Sequence, residues 1–429
     1  MSATAQQPVS AYSSTAFPIE RMKITVIGAG AIGSTVAQDL LRNDDVRLVQ
    51  ICDSRARSLQ ELQDEVQSDR LRSFQVDARD PNVLTPILDG SDCVVGCVPS
   101  GVNPKLARQC LDLGIHYCDL GGSEDTVRRT MKLHDEARSK SVWLMPNCGL
   151  APGLSNVLCL RGIDQFDEVD AAELRVGDVP LYPEPPFNFR ISWSAEKVIE
   201  DYTQPVYLIE DGDIHEADPL SHEEAIHFDA PFGQMEAFCT AGGLSTLTDD
   251  LRGKVRTLDH KTVRWPGHAH QMRFLLGLGF GEERNIDVRT HLTYRDVLRR
   301  RMQQRLGGAY EDAVLLRVCI RGHIDGQKRT LVYEMIERYD ADTGTTAMRR
   351  CTSIPTAVAA LMLASHSVSG GGVAPPENVL PREEYCNNVA DYGLDVTARW
   401  YDGYSSVQQP NGASAEAPQP DGPVAANRT

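Results

Sequence analysis

The chain has 429 residues, 41% of them hydrophobic and 24% charged, which is enough for two domains or one domain with a large insertion. Its net charge of −17 argues against nucleic acid or an anionic membrane surface as a partner, and no run of about 18 apolar residues offers a membrane span. Residues 1–20 contain no Lys or Arg, so they predict no secretory signal and a cytoplasmic protein.

Residues 1–20 are rich in Ser, Ala, Gln and Pro and predict a disordered extension. Lys23 to Ile27 then reads as a buried strand. Gly28, Gly30 and Gly33 follow in the spacing G-x-G-x-x-G, with Ala31 and Ile32 between them, and Ser34 to Arg42 has helical character. Gly28 suits a tight turn, Gly30 lets a pyrophosphate approach the backbone, and Gly33 lets the helix pack closely on the strand. The free N–H groups at the helix start would face the phosphates. A second strand, Val46 to Cys52, ends at Asp53, 20 residues beyond Gly33. A carboxylate there accepts both adenosine ribose hydroxyls and opposes a 2′-phosphate, which predicts NAD rather than NADP. Arg55 and Arg57 are either cations within reach of a 2′-phosphate or the solvated first turn of the next helix.

Leu71 to Val76 is a short strand ending in Asp77, which either sits near the adenine or opens the next helix as a loop carboxylate. Asp80 predicts a cap on a helix over Pro81 to Leu88. Asp92 to Val98 is apolar in the manner of a strand inside a parallel sheet, and runs into Pro99, Ser100 and Asn103. Those three residues would lie at the topological switch point, where Ser100 and Asn103 can reach the nicotinamide half or serve as a turn and helix cap. A helix from Pro104 to Leu113 stops at Gly114. Ile115 to Asp119 is a fifth strand, a helix runs from Ser123 to about Lys140, and Val142 to Met145 is a sixth strand leading to Cys148. Strand–helix alternation over six units predicts a doubly wound parallel sheet of the Rossmann type.

From about 154 strands dominate: Ala172 to Val176, Phe187 to Trp193, Val206 to Ile209, Ala225 to Phe228, Met235 to Cys239 and Val255 to Val263. Two alternating runs, Val314 to His323 and Thr330 to Tyr339, flank the turn signal Asp325-Gly326. Helices are predicted over Ser194 to Asp201, Gly267 to Leu278 and Arg295 to Leu306. This predicts a second, α+β domain with a mixed or antiparallel sheet over 154–350, after an NAD-binding domain over 22–153. The apolar helix Ile354 to Ser367 is predicted to return to the first domain, which segments within 351–398 would complete. Residues 404–429 predict a disordered tail. Eleven scattered cysteines with no C-x-x-C read as reduced and mostly buried, and no Cys/His spacing suggests a metal.

Several stretches in order carry a family resemblance: Val26 to Gly33, His116-Tyr-Cys-Asp-Leu-Gly-Gly122, Pro146-Asn-Cys-Gly-Leu-Ala-Pro-Gly153 with Asn156, Ile191 to Ser194, Glu236 to Thr240 with Gly243 to Thr246, and Lys261 to His268. Together they resemble the saccharopine dehydrogenase-like family over about residues 22 to 390. The forms Asn147 to Gly153 and Pro186 to Trp193 resemble the branch that oxidatively deaminates the side-chain amine of L-lysine. The resemblance implies an NAD-dependent enzyme acting on a small amino acid, a second domain that shapes the substrate site, and a homodimer. A reductase making saccharopine or carboxynorspermidine shares much of this framework. A redox-sensing protein that holds NAD without turnover is a further alternative.

Oxidising an amine by hydride transfer needs a proton acceptor, since the amine must be neutral before hydride leaves. Asp119, at a strand end, can hold an ammonium, pass a proton, or cap the Gly-Gly turn that follows. His268 suits proton transfer near neutrality or a structural role at a helix start. Cys148 is a candidate wall residue or a packed thiol, and His116 reads as packed. For the substrate, Arg190 can pair bidentately with an α-carboxylate or stand as an exposed strand arginine. Ser192 and Trp193 are candidates for a pocket floor. Thr240, Gly242 and Gly243 can offer backbone N–H groups to an anion or form a bend, and Lys261 can tune a neighbour or lie on the surface.

Overall fold

The computed structural model describes residues 22–192 and 194–405. The expected extension at 1–20, Trp193 and all but the first two residues of the expected 404–429 tail lie outside the described residues. The chain divides into two compact units. Among the described residues, one comprises those up to Gly149 with Thr352–Leu380, and the other Leu150–Cys351 with those from Pro381.

In the first unit, strands β1 (Met22–Ile27), β2 (Val46–Asp53), β3 (Leu71–Gln75), β4 (Cys93–Gly96), β5 (His116–Asp119) and β6 (Trp143–Met145) are joined by β15 (Gly372–Val373). Their order is β15-β6-β5-β4-β1-β2-β3 and every pairing is parallel. This is the Rossmann order extended by one edge strand. The apolar runs of the sequence explain it: Ile24, Val26, Val49, Ile51, Val94 and Val95 are fully buried, as strands covered on both faces must be. Asp80 caps the helix Pro81–Leu88 through the Asn82 amide at 3.1 Å. Gly114 ends the helix Asn103–Leu113 in the left-handed conformation.

The single helix expected from Ser123 to Lys140 is two, Glu124–Met131 and His134–Ser139. The break lets His134 Nδ1 accept from the Val373 amide at 3.2 Å, a tertiary contact invisible to local periodicity. The apolar helix starts earlier than expected and spans Ala347–Ala364. Its first amides, Ala347 and Met348, donate to the Asp312 carboxylate at 2.7 and 2.8 Å. Further along, Ser353 donates to Asp39 at 2.6 Å within the first unit.

The second unit holds a nine-stranded mixed sheet. Its main path uses β7 (Glu168–Pro180), β10 (Glu224–Phe228), β11 (Gly233–Cys239), β12 (Val255–Arg264), β13 (Asp312–Ile324), β14 (Gln327–Arg338) and β16 (Thr397–Asp402) in the order β10-β11-β12-β7-β13-β14-β16. β8 (Val206–Glu210) and β9 (Asp213–Ala217) branch from β12. Only β12 with β7 is parallel among the described pairings of this sheet. Asp325 and Gly326 both take positive φ and close β13 onto β14, with Ile324 opposite Gln327.

The strand expected over Phe187 to Trp193 is a correction: residues 187–192 form a loop. Pro185 and Pro186 lack ladder donors, and Asn188 sits at φ +48, outside strand geometry. Strands β9 and β16, which the sequence reading did not include, are short and largely exposed, so they lack an apolar face to announce them.

The pleat sorts β12 into two faces. Asp259, Lys261 and Val263 share one face with Glu173 and Arg175 of β7, whereas His260, Thr262 and Arg264 occupy the other. The second face carries the apolar cluster of Phe189, Ile191, Val198, Tyr202, Phe238 and Met272.

Candidate functional site

In the first unit the β1 turn meets each requirement of a dinucleotide cradle. Gly28 takes φ +106, and a Cβ on it would fall 2.3 Å from the Cys97 carbonyl oxygen. A Cβ on Gly33 would fall 1.8 Å from the Gly28 carbonyl oxygen, so the helix Ala31–Leu41 is closed onto the turn. Gly30 is different. Only Arg55 Nη2, at 3.9 Å, approaches its Cβ position, which leaves this backbone accessible to a phosphate. Ala31 and Ile32 form the first turn, with exposed and half-buried positions respectively.

Asp53 ends β2 with its carboxylate turned onto that turn: the Ala29 amide donates to Oδ2 at 2.8 Å. The Arg55 amide donates to Oδ1 at 2.8 Å, and the Arg55 side chain lies 3.3 Å away. Burial pushes this carboxyl upward, but the Arg55 and Ala29 hydrogen bonds outweigh it and hold the group below its ordinary range. Asp77 is half-buried and ion-paired with Arg79 at 2.7 Å, whose hydrogen bonds bring it down to about 2. Arg57 pairs with Glu61 at 2.7 Å along its own helix.

Pro99 leads into the 3₁₀ turn Ser100–Val102 after β4. Ser100 packs against Gly122, whose Cβ would fall 2.5 Å from the Ser100 Cβ. Asn103 is buried at the start of its helix and makes no cap. Its Oδ1 lacks a hydrogen-bond partner among the described residues, and the buried Tyr117 hydroxyl faces the Asp119 carboxyl. Gly96 makes room for both, since a Cβ there would meet Tyr117 Oη at 2.4 Å and Asn103 Oδ1 at 3.3 Å.

Asp119 stands at the end of β5 beside this group and is 2% exposed. The Gly121 amide donates to Oδ1 at 2.7 Å and the Asn147 amide at 3.4 Å. Burial dominates these hydrogen bonds and pushes the carboxyl up to about 7. A carboxyl titrating near neutrality at the switch-point end of a parallel sheet can exchange a proton with a bound amine. Cys148 is fully buried. Its thiol donates to the Met145 carbonyl at 3.4 Å, its amide to Asp119 O at 2.8 Å, and its carbonyl accepts from Thr356 at 2.9 Å. Burial drives the thiol well above its ordinary range, so the group is a neutral packing element. His116 is likewise packed: its Nδ1 accepts from the Trp143 amide at 3.0 Å, and burial lowers it to about 4.

In the second unit, the expected substrate residues part company. Lys261 is buried in an ionic network, 2.9 Å from Glu224 and 3.7 Å from Asp259. Arg175, 1% exposed, binds Asp259 at 2.6 Å and also pairs with Glu224. Arg321 meets Glu173 at 2.8 Å. Opposite charges are matched throughout this face, so Lys261 is committed to it. Arg190 is paired with exposed Glu184 at 3.0 Å.

On the other face, Ser192 donates to Asp178 Oδ2, which also accepts from Tyr310 at 3.2 Å. Burial and the Asp312 charge push Asp178 up to about 7. Thr240 bonds Thr262 at 2.7 Å. Gly243 lies flat on the His260 ring, whose two nitrogens have no partner among the described residues. Burial and the Arg175 charge lower His260 to about 4. His268 is buried between Phe189, at 4.6 Å, and Phe238, with its Nε2 3.0 Å from the Tyr202 hydroxyl. Burial and the Arg264 charge depress its basicity strongly, so near neutrality it is an uncharged imidazole.

Sequence reasoning missed Arg264, Asp178, Tyr202, Tyr117 and His260. For Arg264 the signal was present: it lies two residues from Thr262 and four from His260 on one strand, so period-two alternation groups the three. Among the described residues no cluster of His, Cys, Asp and Glu could hold a metal, and no helix is long and apolar enough to cross a membrane.

Two family models match the chain. Residues 24–145 match the saccharopine dehydrogenase NADP binding domain, and residues 149–394 match the saccharopine dehydrogenase C-terminal domain. Carboxyaminopropylagmatine dehydrogenase of Synechocystis sp. is 20% identical over 392 residues, covering 87% of this chain and 96% of that protein. Mitochondrial alpha-aminoadipic semialdehyde synthase of Rattus norvegicus is 19% identical over 276 residues, covering 60% of this chain but only 28% of that protein. The fold is that of the apo saccharopine dehydrogenase (L-Glu forming) of Saccharomyces cerevisiae, with a TM-score of 0.73 at 17% identity over 89% of this chain and 100% of that one.

Proposed function

We propose a reaction for a chain that belongs to the saccharopine dehydrogenase family and is an oxidoreductase with an NAD(P)-binding domain. It oxidises the side-chain amine of L-lysine with NAD, in the manner of a lysine 6-dehydrogenase. The products are 2-aminoadipate 6-semialdehyde, which closes to its cyclic imine, with ammonium, NADH and a proton. One water is consumed.

The observation that carries this reading is Asp119, a buried carboxyl pushed up to about 7 at the end of β5. An amine of ordinary pKa about 10.4 must lose its proton before hydride leaves, and a carboxylate near 7 is a better acceptor than one near 3.8. When bound, the dinucleotide supplies the hydride acceptor. Gly28, Gly30 and Gly33 would hold its pyrophosphate at the start of the helix Ala31–Leu41, and Asp53 its adenosine ribose. The Ala29 and Arg55 amides keep Asp53 ionised and oriented, which supports NAD over NADP. The Tyr117 hydroxyl faces Asp119, and Asn103 Oδ1 nearby has no partner among the described residues.

A second reading is a reductase that forms or oxidises a secondary amine. It is favoured by the name of the Synechocystis relative, a carboxyaminopropylagmatine dehydrogenase matched over 96% of its length. Cosubstrate demand separates the two. Purified protein should form NADH from lysine and NAD alone. Turnover that appears only with an amino acid plus an aldehyde, or only with a secondary amine such as saccharopine, would replace the first reading by the second.

A further inference from the structure

Arg264 is the one residue of the helix-covered face of β12 whose charge has no assigned role. It ends the strand, is 4% exposed, and its Nη1 donates to the Asp178 and Val263 carbonyls at 3.0 and 3.1 Å. Its Nε, on the opposite edge of the guanidinium, is buried without an acceptor. No carboxylate lies within ion-pairing distance of it among the described residues. Two buried carboxyls, Asp178 and Asp201, feel its charge without pairing with it: Asp178 Oδ2 accepts from the Ser192 and Tyr310 hydroxyls, and Asp201 pairs with Lys197 at 2.8 Å. The ring of Phe189 lies 5.1 Å from the guanidinium carbon, which fixes its plane.

A buried guanidinium without a directly paired carboxylate is costly, and buried donors are almost always satisfied. The contrast with Arg175 is instructive. That arginine is equally buried, but Asp259 and Glu224 neutralise it completely. Arg264 keeps its Nε without a partner among the described residues, beside the Tyr202 hydroxyl, and that donor matches a carboxylate oxygen. The neighbouring groups suit such a guest. His268, 3.0 Å from Tyr202, is uncharged, its Nδ1 has no partner among the described residues, and Phe189 and Phe238 supply apolar walls.

We propose that Arg264 is the carboxylate anchor of this protein, and that its Nε edge receives the carboxylate of the amino-acid substrate. The inference rests on the reading of the substrate as an amino acid and names the group that recognises it. It replaces Arg190 and Lys261, whose charges are already paired.

The test uses the full chain with NAD in excess and two ligands that cannot be oxidised at a side-chain amine. L-norleucine carries the carboxylate, and L-norleucinamide has a neutral amide in its place. Calorimetric titration into the wild type should show norleucine binding at least about tenfold tighter than the amide, as a charge-assisted pair requires. Arg264→Met should remove that preference, and Arg264→Lys should retain part of it. A wild type that does not bind norleucine, or does not distinguish the two ligands, overturns the proposal. So does a folded Arg264→Met protein that keeps the preference. Should the Met variant not fold, Arg264→Lys decides: an undiminished preference overturns the fork, and a reduced one supports it. Failure of the reaction reading looks different: lysine gives no NADH, yet norleucine is still held through Arg264.

Discussion

The Ala29 amide donates to the Asp53 carboxylate at 2.8 Å, so the glycine turn and the acid at the end of β2 are one unit. Arg55 closes the other side of the same carboxylate. On the proposed preference for NAD, cofactor choice depends on a pair: Asp53 opposes a 2′-phosphate and engages Arg55, which would otherwise be able to reach one. Replacing Asp53 by Ser removes the repulsion and releases Arg55. The ratio of kcat/KM for NAD over NADP should fall at least about tenfold, the worth of one charge-assisted contact. An unchanged ratio would show that the preference is set elsewhere.

Asp119 gives a pH signature. Its carboxyl is pushed up to about 7 in the fold from an ordinary 3.8, so the folded protein holds a proton that the unfolded chain releases between those values. Stability linked to this group is fully present below about 3.8 and is lost as pH rises through about 7, by up to about 4 kcal/mol. Asp119→Asn keeps an acceptor for the Gly121 amide but cannot ionise. Urea unfolding should find it close to the wild type at pH 4 and more stable at pH 8. Amine oxidation should move the other way, with kcat falling on the order of 10² to 10⁴-fold and the rise in rate near pH 7 disappearing. A variant that gains stability at pH 8 but keeps its kcat would indicate a merely structural carboxyl.

Gly243 and His260 are coupled by contact. A Cβ on Gly243 would fall 2.3 Å from His260 Nδ1, and the imidazole is enclosed. Gly243→Ala should cost about 1–3 kcal/mol through overpacking. In the double variant with His260→Ala the two changes should be strongly non-additive, because the added methyl enters the space the ring vacates. Thermal unfolding of the four proteins measures this directly, and simple additivity would refute the contact.

The first unit was legible because parallel strands buried on both faces write long apolar runs, and the Gly28–Gly33 turn has few conformational alternatives. The candidate site was legible only in part. Asp119 is marked by its place at a strand end. Local sequence cannot show that the Cys148 loop turns inward, because what encloses it includes Thr356, 208 residues away. Alternation around Arg190 suggests a strand, which Pro185, Pro186 and the positive φ of Asn188 exclude. Lys261 and His268 drew attention as titratable residues, whereas Arg264 between them required knowing which face of β12 each side chain takes.

The inward turn of Cys148 has its own consequence. The thiol is enclosed, and burial raises it well above its ordinary range, which disfavours the nucleophilic thiolate. Cys148→Ala should leave kcat/KM for lysine within about threefold, with a loss of stability of about 1 kcal/mol from the small cavity. A fall of a hundredfold with the fold intact would restore the thiol to the chemistry.

The central claim is that a carbon–nitrogen bond to a primary amine is oxidised and hydrolysed. The most direct measurement is the ratio of ammonium released to NADH formed, with L-lysine and NAD as the only substrates. Deamination predicts one ammonium per NADH, with no aldehyde added. NADH formed from saccharopine without ammonium, alongside no turnover of lysine, would contradict it.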